Sequence, residues 1–224
     1  MGPWSVRQLA ALGAVAAAII LVVGFVIPGS PPHFAADAPK LVGFFHNHHK
    51  KVLVSLVLVE IGVALLSAVY AQLAILLRAA GQQPYAAVVG IAGAVSAGTL
   101  AVGYGLYGGL AQLAMFGQDA AAVPPLYRLI QFTQVGWYWS TFLLAAAVAL
   151  AAWNGVFPRW VAAVDALVAL LLVLGGISVK ASGALAAGTG ALATIGGIAF
   201  VVWVLHLGLL FWWQPAEVPR TASA

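Results

Sequence analysis

Charged residues are scarce in this sequence, and that scarcity identifies the solvent in which the chain folds. Only 6% of the 224 residues are Asp, Glu, Lys or Arg, while 64% are hydrophobic. A soluble domain carries about 25% charged residues, so this chain could not cover a water-facing surface. No long polar segment interrupts the apolar runs, which argues against an extramembrane domain. The composition therefore predicts one domain, residues 1–224, that lies mostly in lipid.

Cysteine and several enzyme signatures are absent as well. Without cysteine, disulfide bonds, thiolate chemistry and cysteine-bound metals are excluded. The sequence has no phosphate-binding glycine motif, no H-E-x-x-H and no G-x-S-x-G. Its net charge of +4 comes from nine scattered Lys and Arg residues, which is a topology signal and not a nucleic-acid footprint. These observations favour a protein that is not an enzyme and does not bind nucleic acid.

What the sequence does contain is six apolar runs, most of them as long as the ~20 residues that cross a bilayer. They predict an all-α polytopic bundle of six transmembrane helices, at about residues 9–27, 52–77, 85–115, 126–153, 160–179 and 188–211. The first run exceeds the 7–15 residues typical of a signal-peptide core, so we interpret it as an uncleaved span. Residues 28–50 then form the longest loop, in which residues 37–49 could form a short interfacial helix.

Six spans place both termini on one side of the membrane, and charge indicates which side. The side with the termini carries Arg7, Arg78, Arg159 and Arg220, and the opposite side carries Lys40, Lys50, Lys51, Arg128 and Lys180. This count is nearly even under the positive-inside rule. The two tight loops, each with an arginine at its edge, favour cytoplasmic termini. The expected location is the plasma membrane of a bacterium.

Glu60 is an acid inside the second predicted span. Intramembrane acids usually face a bundle interior or a water pathway. Two turns share G-x-x-P spacing, Gly81 to Pro84 and Gly155 to Pro158, and aligning their glycines sets Glu60 opposite Gln134. One interpretation of this shared spacing is a duplicated hairpin, with the second and third spans repeated as the fourth and fifth. The simpler interpretation is that tight turns between helices converge on the same residues. A Glu60–Gln134 hydrogen bond with a protonated Glu60 is the structural interpretation, and a proton, ion or ligand site is the functional one.

Asp165 and His206 form a second candidate pair. Asp165 lies about two turns inside the start of the fifth span, and His206 about two turns before the end of the sixth. Antiparallel neighbouring helices would bring both residues to similar depth near one membrane face. A carboxylate–imidazole pair can relay protons, or it can simply neutralise two polar groups in lipid. Both interpretations stay open.

A histidine-rich collar precedes the second span. His46 and His49 would share a helical face at i and i+3 spacing, and with His48, His33 or Asp37 they could ligate zinc or copper. Ordered metal sites need three or four converging ligands, so a cationic collar at the lipid headgroups is the simpler interpretation. Lys50, Lys51 and Arg128 are the residues expected to contact headgroups. The sequence predicts no cofactor, with zinc or copper as the alternative.

Two stretches resemble a known group of sequences. Phe44-Phe45-His46-Asn47-His48-His49-Lys50 precedes one span, and Gly155-Val156-Phe157-Pro158-Arg159-Trp160 precedes another. In this pattern the chain is similar to a family of uncharacterised six-span integral membrane proteins common in actinobacteria. The resemblance implies a topology and no activity, so it assigns no functional residues. The chain departs from the family in its short, weakly basic loop after the second span.

Three function classes follow from these features. The small loops and small-residue spans favour a non-enzymatic module that binds a lipid or small hydrophobic ligand, or a membrane subunit of a larger complex. The alternative is a proton-linked small-molecule transporter or channel that uses Glu60, Gln134, Asp165 and His206. A second alternative is a metal-dependent membrane enzyme that uses the histidine-rich loop. The expected partners are membrane lipids and either a partner membrane protein or a second copy of the chain.

Overall fold

The computed structural model describes residues 5–116, 120–180 and 182–213, and helices dominate these ranges. The helices are α1 (Val6–Val26), α2 (Ala38–Ala79), α3 (Gln83–Phe116), α4 (Val123–Trp153), α5 (Arg159–Gly176) and α6 (Ala191–Trp213), with one 3-10 turn at Ala120–Ala122. The described ranges contain no β strand longer than a single bridge. All six helices are long and apolar enough to cross a membrane. The predicted all-α bundle of six transmembrane helices is confirmed.

The helices form a closed ring. Each helix packs against the next one in sequence, and α6 returns to pack against α1. Aromatic side chains fill the centre. The ring centroids of Trp137 on α4 and Phe200 on α6 are 4.7 Å apart, and those of Tyr70 on α2 and Trp203 on α6 are 6.3 Å apart. The up-and-down order gives the ring two ends. The terminal face holds Ser5, Trp213 and the turns after α2 and α4, and the loop face holds the other three connections.

The two G-x-x-P turns lie at the terminal face and use glycine in the same way. Gly81 and Gly155 take positive φ angles of 77° and 88°, which let the chain leave α2 and α4. The helices that follow begin differently, since α3 starts at Gln83 before Pro84, whereas α5 starts at Arg159 after Pro158. The two turns therefore end the preceding helix in the same way, but the following helix begins at a different position relative to the proline.

Of the predicted loop over residues 28–50, the part that could form a short helix, residues 37–49, is helical. It is not a separate short helix, because α2 begins at Ala38 and runs unbroken for 42 residues. The Asp37 side chain accepts a hydrogen bond from the Lys40 amide at 3.2 Å, and a proline occupies the first turn. Both features favour a helix start. Leu41 and Phe45 are fully buried four residues apart, so this histidine-rich part of α2 is anchored by packing on other helices.

Three helices continue past the end of α1 at the loop face. The Ser55 hydroxyl donates to the Gly24 carbonyl oxygen at 2.6 Å, which sets Ser55 level with the last turn of α1. Residues 38–51 of α2 therefore reach about 21 Å beyond α1 at 1.5 Å per residue. With residues 108–116 and 123–130 they form what we call the three-helix extension. Its separate core consists of Leu41, Phe45, Val52, Tyr107, Leu110, Ala111, Ala114, Val123, Tyr127 and Ile130.

Exposed tryptophans mark the opposite end of the ring. At the terminal face the exposed side chains are Trp153, Trp160, Trp212 and Trp213. Tryptophan concentrates at membrane–water boundaries, where its ring is apolar and its N–H can reach water. This tryptophan belt is typical of the end of a membrane-spanning bundle. Of the basic residues counted for orientation, Arg220 lies outside the described residues.

Candidate functional site

A cavity lies where the three-helix extension meets the six-helix ring. The centre of a water molecule can occupy about 70 Å³ of this cavity. One water needs only about 10–15 Å³ by that measure, so the cavity has room for several waters or a small organic molecule. Its walls are Phe25, Pro28, Gly29, Pro31, Thr99, Leu100, Gly103, Tyr104, Tyr107, Ile130, Gln131, Thr133, Gln134, Trp137 and Gly188.

Helix α4 supplies most of the polar wall. Gln131 and Gln134 are three residues apart and so lie on one face of the helix. Gln131 is 2% exposed, and its Oε1 has no hydrogen-bond partner among the described residues. The buried Nε1 of Trp137 is unpaired in the same way. Two residues of the cavity wall, Gln131 and Trp137, therefore each carry a buried polar atom without a partner.

Gly188 closes the cavity from the connection between α5 and α6. Its φ angle is +66°, and the side-chain oxygens of Gln131 and Gln134 lie against its α-carbon. A β-carbon added there would be 2.6 Å from Gln134 Oε1 and 2.7 Å from Gln131 Cδ. Real β-carbons do not approach that closely, so a glycine is required for both amides to reach this wall.

The connection after α1 covers the cavity on another side. Pro28, Gly29 and Pro31 are part of its wall. The Tyr127 hydroxyl donates to the Pro32 carbonyl oxygen at 2.6 Å, and this bond ties the connection to α4. Phe34 is buried against Phe132, with ring centroids 5.5 Å apart and edge-on geometry. The cover is therefore fixed by one hydrogen bond and one aromatic contact.

A second polar centre lies between α5 and α6, near the terminal face. The structure brings Asp165 and His206 together, with Oδ2 and Nε2 3.5 Å apart. Trp203 Nε1 donates a hydrogen bond to Asp165 Oδ1. The Trp160 ring meets the His206 ring edge-on at 5.4 Å. Asp165 is fully buried and His206 is 8% exposed, so this is a carboxylate–imidazole pair enclosed by tryptophans.

Glu60 lies apart from both polar centres. Its side chain is half-buried, next to the exposed Val57 and Ile61, and it is not among the residues of the cavity wall. Within the described parts of the chain no hydrogen bond joins Glu60 to Gln134. The structure therefore places Gln134 in the cavity, pairs Asp165 with His206, and leaves Glu60 on the outer side of α2. A functional role for Glu60 stays a prediction.

The histidine collar lies on the three-helix extension. His48 Nδ1 donates to the Phe44 carbonyl oxygen at 2.9 Å, and His49 Nδ1 donates to that of His46 at 3.1 Å. The His48 ring also stacks on Phe44 at 4.7 Å. Across residues 5–116, 120–180 and 182–213, no three His, Asp or Glu side chains cluster as metal ligands would. A zinc or copper site here stays a prediction. Exposed Lys50, Lys51 and Arg128 surround the base of the extension.

Sequence reasoning assigned no site role to Gln131, Trp137, Gly188 or Trp203. Gln131 has a detectable signal, since it precedes Gln134 by three residues and so lies on the same face of the helix. Trp203 has the same spacing before His206. Comparison of the chain with protein-family models, curated proteins and solved structures finds no match. The function must therefore follow from the chemistry of the two polar centres.

Proposed function

We propose that this chain is a membrane module that binds a small amphipathic ligand in the cavity between α3 and α4. The observation that supports the proposal is the pair of unpaired buried atoms, Gln131 Oε1 and Trp137 Nε1, in the wall of one cavity. Leaving a buried polar atom without a partner costs about 1–3 kcal/mol. A ligand that satisfies both atoms removes that penalty, and this gain is available only to a molecule seated in the cavity.

The wall also indicates the chemical class of the ligand. Phe25, Leu100 and Ile130 offer an apolar surface, whereas the two glutamines and Trp137 offer hydrogen bonds. The complementary molecule has an apolar body and a head that can both donate and accept a hydrogen bond, such as an amide or an alcohol. The connections at the loop face that carry Gly188 and Pro28 cover the cavity, so the ligand would enter when one of them moves aside.

The other functional hypotheses have less support. A single proton-linked pathway through Glu60, Gln134, Asp165 and His206 is not favoured, because these residues occupy three separate places in the bundle. A metal-dependent enzyme at the collar would need ligands beyond His46, His48 and His49. A subunit role, with a partner membrane protein or a second copy of the chain, is compatible with ligand binding and is retained in the proposal.

The wider assignments are also proposals. We place the chain in a bacterial plasma membrane with cytoplasmic termini, and among the six-span membrane proteins of actinobacteria. Lys50, Lys51 and Arg128 would then contact lipid headgroups at the loop face. Their exposure around the base of the three-helix extension supports that assignment.

Mass spectrometry of the purified protein tests ligand binding. We expect small molecules extracted from the wild-type protein to include a species that a Gln131→Leu, Gln134→Leu double variant lacks, because the variant removes the polar wall. The matched control is Ser67→Leu, since Ser67 is exposed on α2 and donates only to Val63 of its own helix at 2.9 Å. Identical extracts from the wild type and the double variant would contradict the proposal.

A further inference from the structure

A groove lies at the loop face, on the outer side of two connections that cover the cavity. Its walls come from residues 32–40 on one side and residues 182–191 on the other, and most of these wall residues are exposed. The centre of a water molecule can occupy about 1000 Å³ of the groove. The groove is therefore wide enough to hold a molecule of the size that the cavity accepts.

The groove and the cavity share their covering segments. In the connection after α1, Pro31 lines the cavity and the next residue, Pro32, lines the groove. In the connection between α5 and α6, Gly188 lines the cavity and the next residue, Thr189, lines the groove. Consecutive residues of one segment thus face the two spaces at both places. These two segments separate the groove from the cavity, and the movement of either one would join them.

The connection between α5 and α6 is held firmly by its backbone. The Lys180 amide donates to the Leu185 carbonyl oxygen at 2.9 Å, and the Ala187 amide donates to that of Lys180 at 3.0 Å. The Leu192 amide, in the first turn of α6, donates to the Ala184 carbonyl oxygen at 3.2 Å. Hydrogen bonds therefore join this connection both across itself and to α6, so it resists displacement.

The connection after α1 has far less backbone support. We call its residues 28–36 the strap. Three of the nine are prolines, which have no amide hydrogen to donate. Its backbone hydrogen bonds within the described part of the chain are local, from the Gly29 amide to Val26 at 3.0 Å and from the Ala36 amide to His33 at 2.9 Å. Neither bond ties the strap to another helix.

Side chains instead hold the strap against α4. The Tyr127 hydroxyl donates to the Pro32 carbonyl oxygen at 2.6 Å, and the buried Phe34 ring meets Phe132 edge-on at 5.5 Å. Local opening is most frequent where a segment has few contacts to break. Of the two covering segments, the strap is therefore the one that opens first.

We propose that the strap is the gate of the cavity, and that its movement away from α4 joins the cavity to the groove and admits a ligand from the loop face. That the molecule admitted is the ligand of the cavity rests on the proposed function. The opening itself does not, because it follows from how the two covering segments are held. The contacts of Tyr127 and Phe34 then set how often the cavity exchanges its contents.

Thiol labelling tests the gate, and the absence of cysteine makes a single reporter possible. Leu100→Cys places a thiol in the cavity wall on α3, at a position that is 5% exposed. The probe is iodoacetamide, a small polar amide, added to the protein in lipid nanodiscs. We expect slow labelling that becomes about 2- to 10-fold faster when Tyr127→Phe is added, because the lost hydrogen bond raises the open fraction. Phe34→Ala is a second, independent variant that should also speed the reaction.

Three controls assign a change in rate to the strap. Gly183→Ala strains the other connection at a φ angle of +79° and should leave the labelling of Leu100→Cys unchanged. Leu73→Cys carries its thiol in the core of the ring, at a fully buried position outside the cavity, and should stay unlabelled when either strap variant is added. Ala35→Cys, exposed in the groove, should react rapidly in every background.

A labelling rate at Leu100→Cys that neither Tyr127→Phe nor Phe34→Ala changes would overturn the gate, as entry from the lipid between α3 and α4 would produce. Faster labelling with Gly183→Ala alone would also overturn it, because the other connection would then be the one that opens. The labelling uses no natural ligand. A protein that yields no extracted ligand but responds to the strap variants would keep its gate and lose the proposed function, and the reverse pair of results would do the opposite.

Discussion

The replacement of Gly188 by alanine perturbs the cavity wall at its most constrained point. Gly188 has a φ angle of +66°, and the amide groups of Gln131 and Gln134 lie where its side chain would be. Two separate penalties therefore apply. The first is the backbone conformation, which is unfavourable for any residue with a β-carbon. The second is the displacement of one or both glutamines from their positions in the wall.

An alanine variant at Gly183 serves as the control that separates the backbone penalty from the contact penalty. It belongs to the same connection and has a φ angle of +79°, but no atom lies within 4 Å of where its β-carbon would be. We expect Gly183→Ala to lower the free energy of unfolding by about 1–2 kcal/mol through the backbone alone. We expect Gly188→Ala to lose the same amount plus about 1–3 kcal/mol for overpacking against the glutamines. The difference between the variants isolates the contact with the cavity wall.

Thermal unfolding in lipid nanodiscs, followed by the change in tryptophan fluorescence, measures that difference. A chain of this size loses roughly 2–4 °C of melting temperature for each kcal/mol, so Gly188→Ala should melt measurably below Gly183→Ala. Adding Gln131→Ala to Gly188→Ala opens space for the new methyl group and should recover part of the loss. Equal melting temperatures for the two alanine variants would refute the contact between Gly188 and the glutamines.

Two further predictions concern a close contact between α4 and α5 and a hydrogen bond that holds the connection after α1. Gly175→Ala should destabilise the protein by about 1–3 kcal/mol, because its β-carbon would be 2.8 Å from Tyr138 Cδ1. The control is Gly98→Ala, which has open space around the new methyl group and should show no loss of melting temperature in the same assay. Tyr127→Phe removes the 2.6 Å hydrogen bond to Pro32, worth about 0.5–1.5 kcal/mol. We expect faster proteolysis within residues 28–36 while the melting temperature falls only slightly, and an unchanged cleavage rate would contradict the role of this bond.

The number and type of the helices could be predicted from the sequence because lipid imposes a simple length requirement on apolar runs. The continuity of residues 38–51 with the second span, as one helix, could not. His46 to Lys51 make that segment polar, and hydropathy assigns such a segment to a loop. The decisive feature is the burial of Leu41 and Phe45, which depends on the ends of α3 and α4 being nearby. That proximity results from the tertiary structure, and no pattern in the sequence around Leu41 and Phe45 indicates it.

Depth along a helix was also predictable, and the direction of a side chain around the helix was not. Counting residues from the helix ends was enough to place Asp165 and His206 at similar depth, and the structure brings them together. The same count places Glu60 and Gln134 at similar depth, yet no hydrogen bond joins these two residues in the described part of the chain. A helix that is apolar all round carries no periodic pattern to show which face turns inward, so the outward position of Glu60 could not be read from the sequence.

The concentration of polar groups on α4 follows from its burial, since it is the most enclosed of the six helices. Lipid penalises an unpaired polar group on a lipid-facing helix, so an enclosed helix is where such groups can persist. Short hydroxyl side chains on α4 find hydrogen-bond acceptors within the helix. The hydroxyl groups of Thr133, Ser140 and Thr141 each donate to a carbonyl oxygen of α4. The amide of Gln131 is not satisfied in this way, because its buried oxygen has no hydrogen-bond partner among the described residues. This contrast between satisfied hydroxyl groups and an amide without a partner is the feature of α4 that supports our proposal of ligand binding.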